Sequence, residues 1–268
     1  MQIKNNFTLV IFFLIICLFI NVNLQAEEFD ITAKEITVDK KNNIIIGKGS
    51  VVVVDSENRT IEGDNLIYEK SKEYLTVEGS VKIFDIDKNT LTSEKIIYDK
   101  TNNLIIAYKN SKLTLNEGYN LVTDIINYEI ENRIISSDQY SVFTDDEGNI
   151  VNLDMFQYQI KKNLLSSIGK IKVTDKNRNK YFFKEFFVDT KKKEMIGSDV
   201  SVLLDNENFG LEDENEPRFV ANDIYISEEK SILSKGVFTV CKNRGKGKCP
   251  PWSLKAKKIK HDKVKKTI

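Results

Sequence analysis

Apolar residues return every 30 residues along this chain, at Ile36, Leu66, Ile96, Ile126, Phe156 and Phe186. Two positions later stand Val38, Tyr68, Tyr98, Tyr128, Tyr158 and Val188, and looser copies follow at Ile224 and Ile259. With their partners Ile226 and His261, 15 of the 16 motif positions are apolar or aromatic, against six of the 16 positions just before them. Alternation with a period of two, rich in β-branched and aromatic residues, predicts strands with one buried face. Polar clusters at 39–43, 69–73 and 99–103 close successive strands, and a second apolar run starts at once. Short polar loops between alternating runs are hairpin signals. Gly49, Gly79 and Gly169 each precede a third apolar run, where glycine suits a bend or bulge that folds the ribbon over.

A fixed period means stacked units, none of which can bury its apolar face alone. The predicted fold is all-β: stacked antiparallel strands in an elongated, open β-jellyroll. A right-handed parallel β-helix with rungs of comparable length is the alternative, which the hairpin-like clusters disfavour. The three prolines, Pro217, Pro250 and Pro251, leave the strand regions free for continuous ladders.

Residues 1–26 read as a signal peptide: Lys4 precedes an uncharged apolar run at 7–20, and Ala26 offers a cleavage point. Leu24 is large for its place before that point, so an uncleaved anchor is the alternative. The chain is then expected to comprise the repeat jellyroll over 27–240 and a junction segment over 241–268. The longer step from Phe186 to Ile224 holds an acidic stretch at 205–217, read as a loop between two units. The last repeat stops partway, which reads as an array joined to something further. Export places the protein in an oxidising space, but with only Cys241 and Cys249 after the leader there is no disulfide framework.

Formal net charge is zero, yet from Lys242 onward 11 basic residues face one acid, Asp262. A basic tail can meet phosphates, an anionic surface or an acidic partner. In a chain this rich in lysine throughout, a solvated surface is the plainer reading, and no nucleic-acid partner is expected.

Catalytic chemistry is not indicated, and no catalytic residue is assigned. His261 is the single histidine and falls on the buried-face register of the last unit, so a Ser–His–Asp arrangement has no other imidazole to use. Metal sites built on His or paired Cys are unsupported, no nucleotide-binding glycine pattern occurs, and no cofactor is expected. Carboxylate pairs such as Asp145-Asp146 and Asp213-Glu214 lie in turn-like segments. What remains is an apolar inner face able to hold an extended apolar ligand or to pack as a dry core, and sheet ends suited to strand pairing with a similar module.

The stretch Gly236-Val-Phe-Thr-Val-Cys241, followed by Cys249-Pro-Pro-Trp252-Ser-Leu-Lys-Ala256-Lys-Lys-Ile-Lys-His-Asp262, resembles the junction between the periplasmic OstA-type jellyroll and the β-barrel of the LPS-assembly outer-membrane LptD family. The upstream repeat resembles the OstA unit shared by LptA and the LptD N-terminus. The resemblance covers essentially the whole chain after residue 26 and implies a non-enzymatic lipopolysaccharide-binding and transport module. Lipid A acyl chains would lie along an interior face made of Ile36, Val38, Leu66, Tyr68, Ile96, Tyr98, Ile126, Tyr128, Phe156, Tyr158, Phe186 and Val188. An LptA-like bridge protein would pair end to end, and an LptE-like lipoprotein would be a partner only with a barrel present. The implied location is the periplasm, associated with the outer membrane if joined to a barrel. The family pairs the cysteine at the place of Cys241 with a barrel cysteine, whereas Cys249 offers a local disulfide partner here. A structural or carbohydrate-binding β-solenoid with a filled core is the competing reading.

Overall fold

The computed structural model describes residues 29–116, 118–209, 215–242, 245, 250–262 and 264–265. Among the described residues eighteen strands form one sheet. In the first half they are β1 (Phe29–Thr32), β2 (Glu35–Asp39), β3 (Ile44–Asp55), β4 (Thr60–Glu69), β5 (Tyr74–Phe84), β6 (Thr90–Asp99), β7 (Leu104–Thr114), β8 (Asn120–Glu129) and β9 (Ile134–Ser137). There follow β10 (Ser141–Thr144), β11 (Ile150–Leu153), β12 (Phe156–Gln159), β13 (Leu164–Thr174), β14 (Lys180–Asp189), β15 (Glu194–Leu203), β16 (Arg218–Ile226), β17 (Lys230–Thr239) and β18 (Leu254–Asp262).

Pairing is antiparallel throughout, and between chain neighbours wherever the long strands run unbroken, as the hairpin signals predict and a parallel β-helix would not allow. Each 30-residue unit is one out-and-back pair of long strands. The strands bend in the middle. The ladder shifts register between Lys48 and Val51, Glu78 and Val81, and Ile168 and Ile171. Those are the predicted glycine breaks, with φ of +73° at Gly49, +86° at Gly79 and +118° at Gly169. The same bulge recurs between Tyr108 and Ser111 on Lys109 and Asn110, at φ of +62° and +51°, where no glycine signals it. Bulges bend a strand and sharpen its twist, so the sheet folds into two facing walls. Where the bend breaks the strand outright, β1 and β2 share the edge of β3, and β9 and β10 share the edge of β8.

Cross-strand partners share a face, and the inner face of the first wall carries a row that alternates in size. Leu66, Ile96, Ile126, Phe156 and Phe186 alternate with the smaller Gly47, Val77, Ala107, Ser137, Ser167 and Gly197. The small residues make room for the facing wall: a Cβ on Gly197 would lie 2.5 Å from the Phe183 ring. The buried apolar residues of both walls form one continuous core.

Two rows of hairpins run along the outer ends of the walls, and one is laced by a ladder that the alternation does not show. Asp85, Asp145 and Asp175 each accept the amide of the residue four on, Asn89, Asn149 and Asn179. Those asparagine side chains donate back to the same carboxylates and accept an amide from the next hairpin: Asn116 on Asn89, Lys176 on Asn149 and Asp205 on Asn179. Turns of this kind are what aspartate and asparagine stabilise.

Candidate binding interior

Of the twelve predicted interior residues, Leu66, Tyr68, Ile96, Tyr98, Ile126, Phe156 and Phe186 are buried, and Tyr128, Tyr158 and Val188 are half-buried against the core. Ile36 and Val38 depart from expectation. Their partners Gly47 and Ile45 put them on the inner face, yet they are 47% and 55% exposed. Among the described residues β2 pairs only with β3, so no further strand covers them. The opposite end repeats this: β18 pairs with β17, and Leu254, on the inner register opposite Phe238, is 53% exposed. The interior face therefore ends in uncovered apolar residues at both edges of the sheet.

Between those edges the interior is uneven. Near the first edge it is filled. Phe29 on β1 meets Tyr68 and Tyr98 edge-on, at ring-centroid distances of 5.1 and 5.3 Å. Arg59 reaches into the same cluster and donates to the Tyr98 hydroxyl at 3.1 Å, with its guanidinium 5.6 Å from the Tyr98 ring centre. Its Nε lies 2.6 Å from Asp55 Oδ2, and both side chains are buried. A buried charge is tolerable only with a partner and further hydrogen bonds. Burial alone would lower the Arg59 pKa, but the hydrogen bond and charge of Asp55 reverse the sign and raise it. Burial pushes the Tyr98 phenol up against the opposing pull of Arg59, and burial raises Tyr128 likewise. Both tyrosines are thus neutral, polar only at the hydroxyl. Toward the other edge, Phe143 packs on Phe156 at 4.9 Å and Phe183 on Phe186 at 6.1 Å.

The middle is hollow. A cavity of about 650 Å³ lies between the walls, with Ile105, Ile126, Tyr128, Ile135 and Tyr158 on one side and Ile83, Leu91, Leu113 and Leu115 on the other. Its mouth runs between the hairpin rows, past Arg59, Asp87, Lys88, Arg133 and Ile160. That volume falls within the usual range for small-molecule pockets. Of the twelve predicted residues only Ile126, Tyr128 and Tyr158 line it.

The second-wall liners escaped the sequence assignment because the 30-residue motif indexes one wall. Their signal was the alternation in the third apolar run, such as Val81 and Ile83. Arg59 was missed too, and its signal is an exception to the period: Asn89, Asn149 and Asn179 hold the equivalent place in later repeats.

Cys241 donates its amide to Thr239 Oγ1, and its sulfur lies 3.6 Å from the Trp252 carbonyl oxygen. Cys249 and the His261 side chain lie outside the described residues, and with them the predicted disulfide. Among the described residues no buried side-chain nitrogen or oxygen lacks a hydrogen-bond partner. The aliphatic depth of the cavity can solvate an apolar chain, and its mouth carries both carboxylates and cations.

No protein-family model matches the chain, and no curated protein matches it. Among solved structures it is similar to LptH from Pseudomonas aeruginosa, described as the LptA-homologous periplasmic component of the lipopolysaccharide transport device, at 17% identity over 40% of this chain and 79% of that one, with a TM-score of 0.37.

Proposed function

We propose that this chain is a non-enzymatic lipid-carrying module of the periplasm. In this reading residues 1–26 direct export, the jellyroll over 27–240 receives lipopolysaccharide, and lipid A acyl chains run along the interior on their way to the outer membrane. The observation that carries it is the cavity of about 650 Å³, whose depth is walled by aliphatic and tyrosine side chains and whose mouth is rimmed by charged and amide ones, inside an otherwise continuous core. A core built only for stability packs to near-crystalline density. Each acyl methylene moved from water into such a space gains about 0.8 kcal/mol, so a void this size suits a chain-like guest. The resemblance of the Cys241–Asp262 segment to the LptD junction adds lipopolysaccharide as the guest, an LptA-like bridge pairing with an open sheet edge, and an LptE-like lipoprotein wherever a barrel follows. Cys241 is proposed to be oxidised in the exported protein, with Cys249 or a barrel cysteine as partner.

Photo-crosslinking tests the reading. A photoreactive residue at Ile126 or Tyr158 should capture lipopolysaccharide in cells. Adducts formed only from outer-face positions such as Ile67 or Ile196, which are exposed, would sink it.

A further inference from the structure

The repeat departs from its own polar pattern around the cavity mouth. Hairpin positions 30 apart hold Ser56, Asn116, Asp146 and Lys176, but Ile86 in the second copy. The position that begins the same hairpins holds Asp55, Asp85, Asp145, Asp175 and Asp205, but Leu115 in the third. On the opposite row Lys40, Lys70 and Lys100 give way to Ile130 and Ile160. Ile86, Leu115 and Ile160 all line the cavity, and Ile130 packs against the core. Ile86 sits on a hairpin and is 72% exposed, so it contributes little to the core.

We propose that the slit between these hairpin rows is a lateral port with apolar lips, Ile86 and Leu115 on one side and Ile130 and Ile160 on the other. Through it the acyl chain of an amphiphile passes side-on into the cavity while the polar head stays in water. The inference rests on the reading that the interior carries lipid, and it adds the route. Passage along the axis from the first edge would have to cross the Phe29–Tyr68–Tyr98 cluster and the buried Asp55–Arg59 pair. A polar head pays heavily to enter such an interior. Side-on passage avoids that cost: the chain crosses between Ile86, Leu115 and Ile160, while Lys88 and Arg133, which line the same mouth, stay beside the head.

Stopped-flow fluorescence with cis-parinaric acid, a fatty acid that brightens in apolar surroundings, separates the possibilities. In the full chain, Ile86→Asp alone and Ile86→Asp with Ile160→Asp should slow the fluorescence rise by about tenfold or more, since each sets a charge on the apolar part of the rim that the chain crosses. Leu254→Asp and Leu254→Lys, which each charge the far sheet end where Leu254 is 53% exposed, should leave the rate within about twofold, as exposed substitutions do. Ile86 is exposed enough that its single variant folds, which circular dichroism checks. Slowing by the end variants with none by the lip variants would overturn the port and leave lipid binding standing. No fluorescence rise with the unmodified chain would overturn both.

Discussion

At the first edge the space between the walls is taken up by Phe29, Tyr68, Tyr98 and the Asp55–Arg59 pair, whereas from β5 to β12 the same inner rows leave a cavity of about 650 Å³. The two regions share their repeat, their ladder and their tyrosines. They differ at the residue four places after each hairpin aspartate. Arg59 is long enough to cross the interior and reach the Tyr98 hydroxyl. Asn89, its equivalent 30 residues on, is too short and turns back to Asp85 Oδ2 at 2.7 Å. Phe29 completes the plug from the edge strand β1. Arg59, of longer reach than Asn89, thus separates together with Phe29 a sealed section from a hollow one.

The largest expected effect breaks the plug. Arg59→Leu strands the Asp55 carboxylate, whose side chain is 1% exposed, and removing one partner of a buried pair costs about 3–5 kcal/mol. The urea midpoint should fall accordingly, and Asp55→Asn on the same background should restore much of it. A midpoint unmoved by Arg59→Leu would mean that the pair does not hold the sealed section together.

Next come paired truncations across the two regions. Ile96→Ala in the sealed section should cost about 2–4 kcal/mol, because a buried aliphatic leaves both lost transfer energy and a cavity. Leu113→Ala should cost about 1–2 kcal/mol, since Leu113 is half-buried and already borders open volume. Equal losses in chemical denaturation would show that the void is filled in solution.

Smaller still is the hairpin ladder beside the cavity. Asn149→Ala removes the side-chain bonds to Asp145 and to the Lys176 amide and should cost about 1–2 kcal/mol. Amide exchange should quicken first in hairpins 145–149 and 175–179; uniform quickening along the sheet would argue against a local tie.

The smallest effect extends the comparison toward the third repeat pair. Burial, with Asp175 accepting its hydroxyl at 3.0 Å, raises the Tyr181 pKa well above the ordinary 10.0. The unfolded phenol therefore ionises first. The stabilisation is complete below about pH 10 and falls as pH rises above it. Melting temperature should drop from about pH 9 to about pH 11 more in the native chain than in Tyr181→Phe, and identical slopes would contradict the assignment.

Much of this architecture follows from local rules. Alternation named the strands and the inner face of one wall, the polar clusters named the hairpins, and glycine marked three of the bends. These were legible because backbone pairing and pleat impose a strict period of two, and because a left-handed bulge residue favours glycine. The bulge at Lys109 and Asn110 escaped, since cooperative pairing of the flanking strands imposes it on residues with no intrinsic preference for positive φ. The exposure of Ile36 and Val38 escaped because parity tells which way a side chain points but not whether another strand lies over it.

A repeating antiparallel sheet with one apolar face can be read from the residues alone, and even the exceptions at Arg59, Ile86, Leu115, Ile130 and Ile160 stand there to be counted. What those exceptions do is settled by packing in three dimensions. Folding over brings hairpins far apart in sequence onto opposite lips of one slit, and whether a given section is filled depends on side-chain reach across a gap that no local pattern measures. Packing is a property of both walls at once, and the period describes each wall alone.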